Sequence, residues 1–132
     1  MDPAAATTLP GKLRLKTQRD FRGVYGRGGR ASGDWVTVVV WPRRAGEVPA
    51  PRVGVSVSKE HGGAVRRNKL KRVLREAFRL ERARMPQSCD VVLIPRKRPD
   101  DLPLAALRAE LVRLVEKAYH KPKKGRRGPR RR

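Results

Sequence analysis

Three consecutive segments in the middle of the chain narrow the possible folds more than any other feature. Residues 52–59, RVGVSVSK, alternate Val53, Val55 and Val57 against Gly54, Ser56 and Ser58. That period of two predicts a strand with one small, polar face. After a glycine step, EHGG, residues 64–84 place Leu70, Val73, Leu74, Ala77 and Phe78 on one side of a helical wheel. Residues 90–96, DVVLIPR, hold an apolar run suited to a central strand buried on both faces. Strand, amphipathic helix and buried strand in this order make a β-α-β crossover, a connection that is right-handed as a rule.

The rest of the chain adds elements to that unit. Thr17 can N-cap a short helix, with Asp20 in the capping-box position and Phe21, Val24 and Tyr25 on one face. GRGGRASG, residues 26–33, breaks this helix, and DWVTVVVW, residues 34–41, reads as a strand. PRRAGEVPAP, residues 42–51, is a turn or hairpin loop. A last helix lies within residues 100–119, with Asp101 as N-cap and a stripe of Leu104, Leu107, Leu111, Leu114, Val115 and Ala118. The expected order is α-β-β-α-β-α, an α/β (α+β) sandwich in which helices pack on a small mixed sheet. The domain is expected over residues 11–119, between a loose segment, 1–10, and a basic tail, 120–132, disordered without a partner.

The crossover helix carries its charges against its own dipole. A helix N-terminus is partially positive and disfavours cations, yet Arg66, Arg67, Lys69, Lys71 and Arg72 crowd the first turns and the first acid is Glu76. Opposite the apolar face, Asn68, Arg72, Arg75, Arg79 and Arg82 form a ridge with Lys71 at its edge. Glu76 can pair with Arg72 or Arg79 and cannot neutralise the rest. The whole chain repeats the imbalance: 34 basic residues against 12 acidic give a formal net charge of +22. Such self-repulsion asks for a polyanion, nucleic acid first and an anionic membrane second. A phosphate backbone at the free N–H groups of the helix start would relieve it. A merely solvated basic face is the bland alternative, and Asn68 can serve as a helix cap, as an RNA contact, or as both. No apolar run approaches the roughly 18 residues of a membrane span, and MDPAAATTLPGKL shows no secretory pattern. The single Cys89 excludes an intramolecular disulfide framework. A soluble cytoplasmic protein is the expectation.

The run Lys59-x-x-Gly62-x-Ala64-Val65-x-Arg67-Asn68-Lys69-x-Lys71-Arg72-x-x-Arg75-Glu76 resembles the signature of the protein subunit of bacterial ribonuclease P. The resemblance extends from about Leu13 to Tyr119. Lys69 departs from it, because the family motif reads Arg-Asn-Arg; Lys keeps the charge and loses the bidentate fork. The resemblance implies a fold like domain 2 of ribosomal protein S5, with a left-handed β-α-β crossover against the general rule. It implies that the chain assists a catalytic RNA in removing the 5′ leader of precursor tRNA. Mg2+ would act through the RNA subunit, with no catalytic residue, metal or tightly bound cofactor on the protein. The partners implied are the catalytic ribonuclease P RNA and precursor tRNA with its 5′ leader, and no membrane. The RNA-binding residues would be Lys59, Arg66, Arg67, Asn68, Lys69, Lys71, Arg72, Arg75 and Arg79.

The resemblance also implies a leader cleft between the first helix and the sheet. Single-stranded RNA is held by aromatic stacking and a basic groove. Phe21 and Tyr25 lie one helical turn apart, as core residues or as cleft residues. On the following strand Trp35, Thr37, Val39 and Trp41 share a face that mixes aromatics with a hydroxyl, while Val36, Val38 and Val40 share the other. The expected cleft therefore comprises Phe21, Tyr25, Trp35, Thr37 and Val39, although the tryptophan-bearing strand ends could equally cap the core.

Other chemistry is poorly represented. His61 and His120 lie far apart, Asp100-Asp101 reads as a helix start, and Cys89 reads as a small core or edge residue. GRGGR lacks the preceding strand that a dinucleotide loop needs and reads as a flexible basic connection. A small ribosomal protein or RNA chaperone would spread its charge over tails and loops, unlike the concentrated signature at 59–76. A DNA reader would present Asn, Gln and Arg on a helix-turn-helix, whereas this basic helix sits between strands.

Overall fold

A computed structural model describes residues 11–44, 51–96 and 102–121. The described elements are α1 (Gln18–Arg27), β1 (Gly29–Ser32), β2 (Val36–Pro42), β3 (Arg52–Val55), α2 (Ala64–Glu81), β4 (Cys89–Pro95) and α3 (Leu104–Tyr119). Short 3-10 turns at Gly11–Leu13, Lys59–His61 and Arg82–Arg84 join them. Segment 1–10, most of the 42–51 loop, Asp100, Asp101 and the tail from residue 122 lie outside the described residues.

The four strands form one mixed sheet in the order β1-β2-β4-β3. β1 and β2 are antiparallel, as are β2 and β4, while β3 runs parallel to β4 as a crossover through α2 requires. The element order is thus α-β-β-β-α-β-α, one strand more than the sequence suggests. Residues 29–32, read as part of a break, form β1. Gly29 fits there because a Cβ would stand 2.5 Å from the Ala118 carbonyl oxygen at the end of α3. The hairpin alternative for 42–51 fails because β4 lies between β2 and β3.

Two layers cover the sheet. Val36, Val38 and Val40 of β2, with Val53, Val91 and Leu93, face α2 and α3 and form the larger core with Leu74, Phe78, Leu107, Leu111 and Leu114. Val39 and Val92 face the other way, against Leu15 and Val24, beneath α1. The α2 face packs as its periodicity predicts. In α3, Leu104 at the first position is 38% exposed and the stripe begins in earnest at Leu107. The helix starts after Pro103, two residues beyond the expected cap Asp101.

Charged side chains lock the layers together. The buried Glu110 of α3 accepts backbone hydrogen bonds from Asp34, Trp35 and Val36, at 2.9, 2.8 and 2.9 Å. One carboxylate thus satisfies the turn entering β2 and ties it to α3. Buried Glu81 of α2 pairs with Arg108 of α3. Cys89 opens β4, fully buried, and its thiol is pushed up to about 12 by burial and by the charge of Asp90. It is a core thiol that stays protonated at neutral pH.

Candidate nucleic-acid interface

α2 begins without the aids a helix N-terminus normally has. Its cap is Gly63, which makes no side-chain capping bond, and its first turn holds no acid. Asn68 is therefore not the cap: it stands exposed inside the helix, five residues past Gly63. The entry turn is built from Ser58, which accepts from the Glu60 N–H, and from Gly62, whose φ of +118° favours glycine. Arg67 Nε donates back to the Gly62 carbonyl at 3.1 Å, so this guanidinium is held over the helix start.

The predicted RNA-binding residues lie on the entry turn and along α2. Lys59, Asn68, Lys69 and Arg72 are exposed; Arg66, Arg67, Lys71, Arg75 and Arg79 are half-buried. Glu76 takes Arg79, through bonds of 3.0 and 2.6 Å, rather than Arg72. Arg79 is thus a ridge member already matched to an acid. Arg75 leans the other way, toward the α1 side of the molecule. Burial lowers its guanidinium pKa from the ordinary value, and the like charge of Arg14 adds to the effect. Arg14 has a buried Nε without a hydrogen-bond partner.

That meeting point joins the ridge to the aromatic pair. A cavity of about 350 Å³ is lined by Arg14, Leu15, Lys16, Phe21, Val53, Gly54, Val55 and Arg75. Gly54 gives the Phe21 ring its room: a Cβ there would stand 2.6 Å from Cζ. A second cavity of about 450 Å³, lined by Lys16, Thr17, Gln18, Phe21, Arg22 and Tyr25, continues along α1. The two rings are half-buried, with centroids 6.5 Å apart and planes tilted by 43°. The capping box holds α1 in place: Thr17 Oγ1 accepts from the Asp20 N–H at 3.0 Å, and the Asp20 carboxylate accepts from Thr17. Burial raises the Asp20 pKa, but the hydrogen bonds from Lys16 and Thr17 and the charge of Arg52 outweigh it and hold the carboxyl below its ordinary value.

The strand residues expected in the cleft divide. Thr37 is half-buried, and its hydroxyl pairs with that of Ser32 at 2.8 Å. Val39 is 1% exposed and packs under α1, so it fastens the helix to the sheet and cannot face a strand of RNA. Trp35 lies ahead of β2 and packs against the α2–α3 core, off the cleft side. Arg14 and Lys16 are additions. Their sequence signal is the alternation Leu13-Arg14-Leu15-Lys16, in which both leucines are buried. The histidines stay apart: His61 Nε2 contacts the Pro95 carbonyl at 2.9 Å, and His120 pairs with Glu116. Among the described residues no helix is long and apolar enough to cross a membrane.

A basic ridge that runs into an aromatic, cation-lined groove on an α+β fold has the features that proteins use to hold single-stranded RNA. Comparison with known proteins is more specific. The family model described as Ribonuclease P matches residues 9–119. The ribonuclease P protein component of Finegoldia magna is 36% identical over 83% of this chain and 93% of its own length. That of Desulfovibrio desulfuricans is 38% identical over 86% and 89%. Among solved structures, the Staphylococcus aureus RNase P protein superposes with a TM-score of 0.68 at 28% identity, covering 82% of this chain and 98% of that one. The Thermotoga maritima RNase P protein gives 0.68 at 30% identity, over 79% and 96%. The chain belongs to the ribonuclease P protein family. It is a component of that endoribonuclease and assists its RNA in processing the 5′ leader of precursor tRNA.

Proposed function

We propose that the α2 ridge grips the catalytic ribonuclease P RNA while the Phe21–Tyr25 groove receives the 5′ leader of precursor tRNA. The observation that carries this division is Arg75, which belongs to the ridge and lines the groove with Phe21. Lys59, Arg66, Arg67, Asn68, Lys69, Lys71 and Arg72 provide the ridge, and Arg79 joins it with its charge shared with Glu76. Guanidinium and ammonium groups meet phosphates there and release counterions. In the groove, Tyr25 and Phe21 stack on leader bases, Thr37 offers a hydroxyl at the sheet, and Arg14, Lys16 and Arg75 hold the strand's phosphates. Val39 and Trp35 have no part in it. The protein positions; Mg2+, held by the RNA subunit, supplies the hydrolytic chemistry. A cytoplasmic site of action goes with those partners.

The test is reconstitution. The protein is mixed with a bacterial ribonuclease P RNA and a 5′-extended precursor at low magnesium. Cleavage should exceed that of the RNA alone. No gain would contradict the reading.

A further inference from the structure

On the flank of α1 away from Tyr25 lies a third cavity, of about 530 Å³. Its floor is Trp41, whose ring carries the guanidinium of Arg43 at 3.9 Å and that of Arg27 at 5.2 Å from its centroid. Beside it the 2% exposed Asp90 is gripped by Arg43, at 2.7 Å, and by Arg52, at 2.8 and 2.9 Å. Arg43 and Arg52 are thus both held at Asp90, with their guanidinium groups on the cavity lining. Arg19 and Arg22 add two more cations, for which the described residues provide no ion-pair partner. The other acid on the lining, Asp20, is occupied in the capping box. Held guanidinium forks of this kind match phosphate oxygens.

The glycines of α1 bear independently on what lies there. Gly23 is required by Trp41, because a Cβ would stand 2.9 Å from the ring. Gly26 has no such reason: a Cβ there meets nothing within 4 Å, and the helix cap is Gly28. A glycine inside a helix loses stability relative to alanine, and among the described residues no close contact accounts for it at residue 26. Gly26 lines the cavity, next to Arg22, and Arg22 also lines the Tyr25 groove on the other side.

We infer that the Trp41 cavity is a second seat for the 5′ leader, taking the phosphates upstream of the bases stacked at Tyr25 as the strand crosses α1 over Gly26. The inference rests on the groove reading for the point where the strand enters.

The experiment uses the holoenzyme reconstituted with a bacterial ribonuclease P RNA. The substrates are mature tRNA and precursors with leaders of about 4 and about 16 nucleotides, which span the size of a single-strand site. Replacing Arg19 and Arg27 together by Ala should weaken the long-leader precursor on the order of ten-fold and leave the short-leader precursor unchanged. Gly26→Ala should move two readouts in opposite directions. It should raise the thermal midpoint of the free protein by about 2–6 °C while weakening long-leader binding alone, which a glycine of structural role only would not do. Equal losses for mature tRNA and both precursors would overturn the inference and give the surface to the catalytic RNA. No loss on any substrate would overturn it as a solvated face. Tyr25→Ala on the short leader reads the groove alone, so failure of the groove and failure of this seat are separate results.

Discussion

Among the described residues, the sheet buries twenty apolar side chains with α2 and α3 on one face and four with α1 on the other. The first face is closed: Leu74, Phe78, Leu107, Leu111 and Leu114 have no exposed surface, and Glu81 and Glu110 clamp the layers. The second is left open. Phe21, Tyr25, Trp41 and Ile94 border its small core half-exposed, and all three cavities described above open on this side. Apolar burial stabilises roughly in proportion to area, so most of the fold's stability resides on the α2–α3 face. The α1 face can then keep aromatic surface accessible for a ligand.

Phe78→Ala and Phe21→Ala test that asymmetry most strongly. Loss of the fully buried Phe78 should cost about 3–5 kcal/mol, and loss of the half-buried Phe21 less than about 2 kcal/mol. Denaturant titration reads both. Equal costs would make the α1 face a second core.

The ridge comes next. Replacing Arg67, Arg72 and Arg75 by Ala should leave the fold intact and lower the log–log salt slope of RNA binding by about two units. Removing Arg75 also relieves its repulsion with Arg14, so the thermal transition should not fall. An unchanged slope would mean a solvated face.

The elements that were legible in the sequence are those whose pattern is local. The apolar stripe of α2, the uninterrupted run of β4 and the Thr17–Asp20 cap each declare themselves within one segment. What was not legible depends on distant neighbours. β1, Gly-Arg-Ala-Ser, has no strand signal of its own. Its edge position exists because the end of α3 packs over Gly29 and because Glu110 holds the turn into β2. Alternation put Val39 and Trp35 on the cleft side. It could not show that α1 covers Val39, or that Trp35 falls before the strand begins. Glu110 had a readable signal, being an acid within the apolar stripe between Leu107 and Leu114.

Smaller effects sharpen the account of α1. The Asp20 carboxyl is held below its ordinary pKa of 3.8. Its capping contribution is therefore fully present above pH 3.8 and is lost as the pH falls through the lower folded value. Asp20→Asn should flatten the acid limb of the stability curve there, at a cost of about 1 kcal/mol or less at neutral pH. An unaltered acid limb would show that the cap is not charge-dependent. Smallest is Lys69→Arg, which puts a guanidinium in place of the ammonium at an exposed ridge position. It should tighten binding to the catalytic RNA slightly if a two-bond contact is made there. Weaker binding would show a pocket fitted to Lys.

The division of labour between the two surfaces is tested most directly by one ratio, the holoenzyme's affinity for leader-bearing precursor over its affinity for mature tRNA. It is measured with saturating protein, so that loss of RNA-subunit binding does not enter. Stacking is worth roughly 1–3 kcal/mol per base. Tyr25→Ala should therefore lower the ratio about five-fold or more, while Arg72→Ala on the ridge leaves it unchanged. A ratio that holds for Tyr25→Ala, or falls equally for Arg72→Ala, would contradict the assignment of the leader to the α1 face.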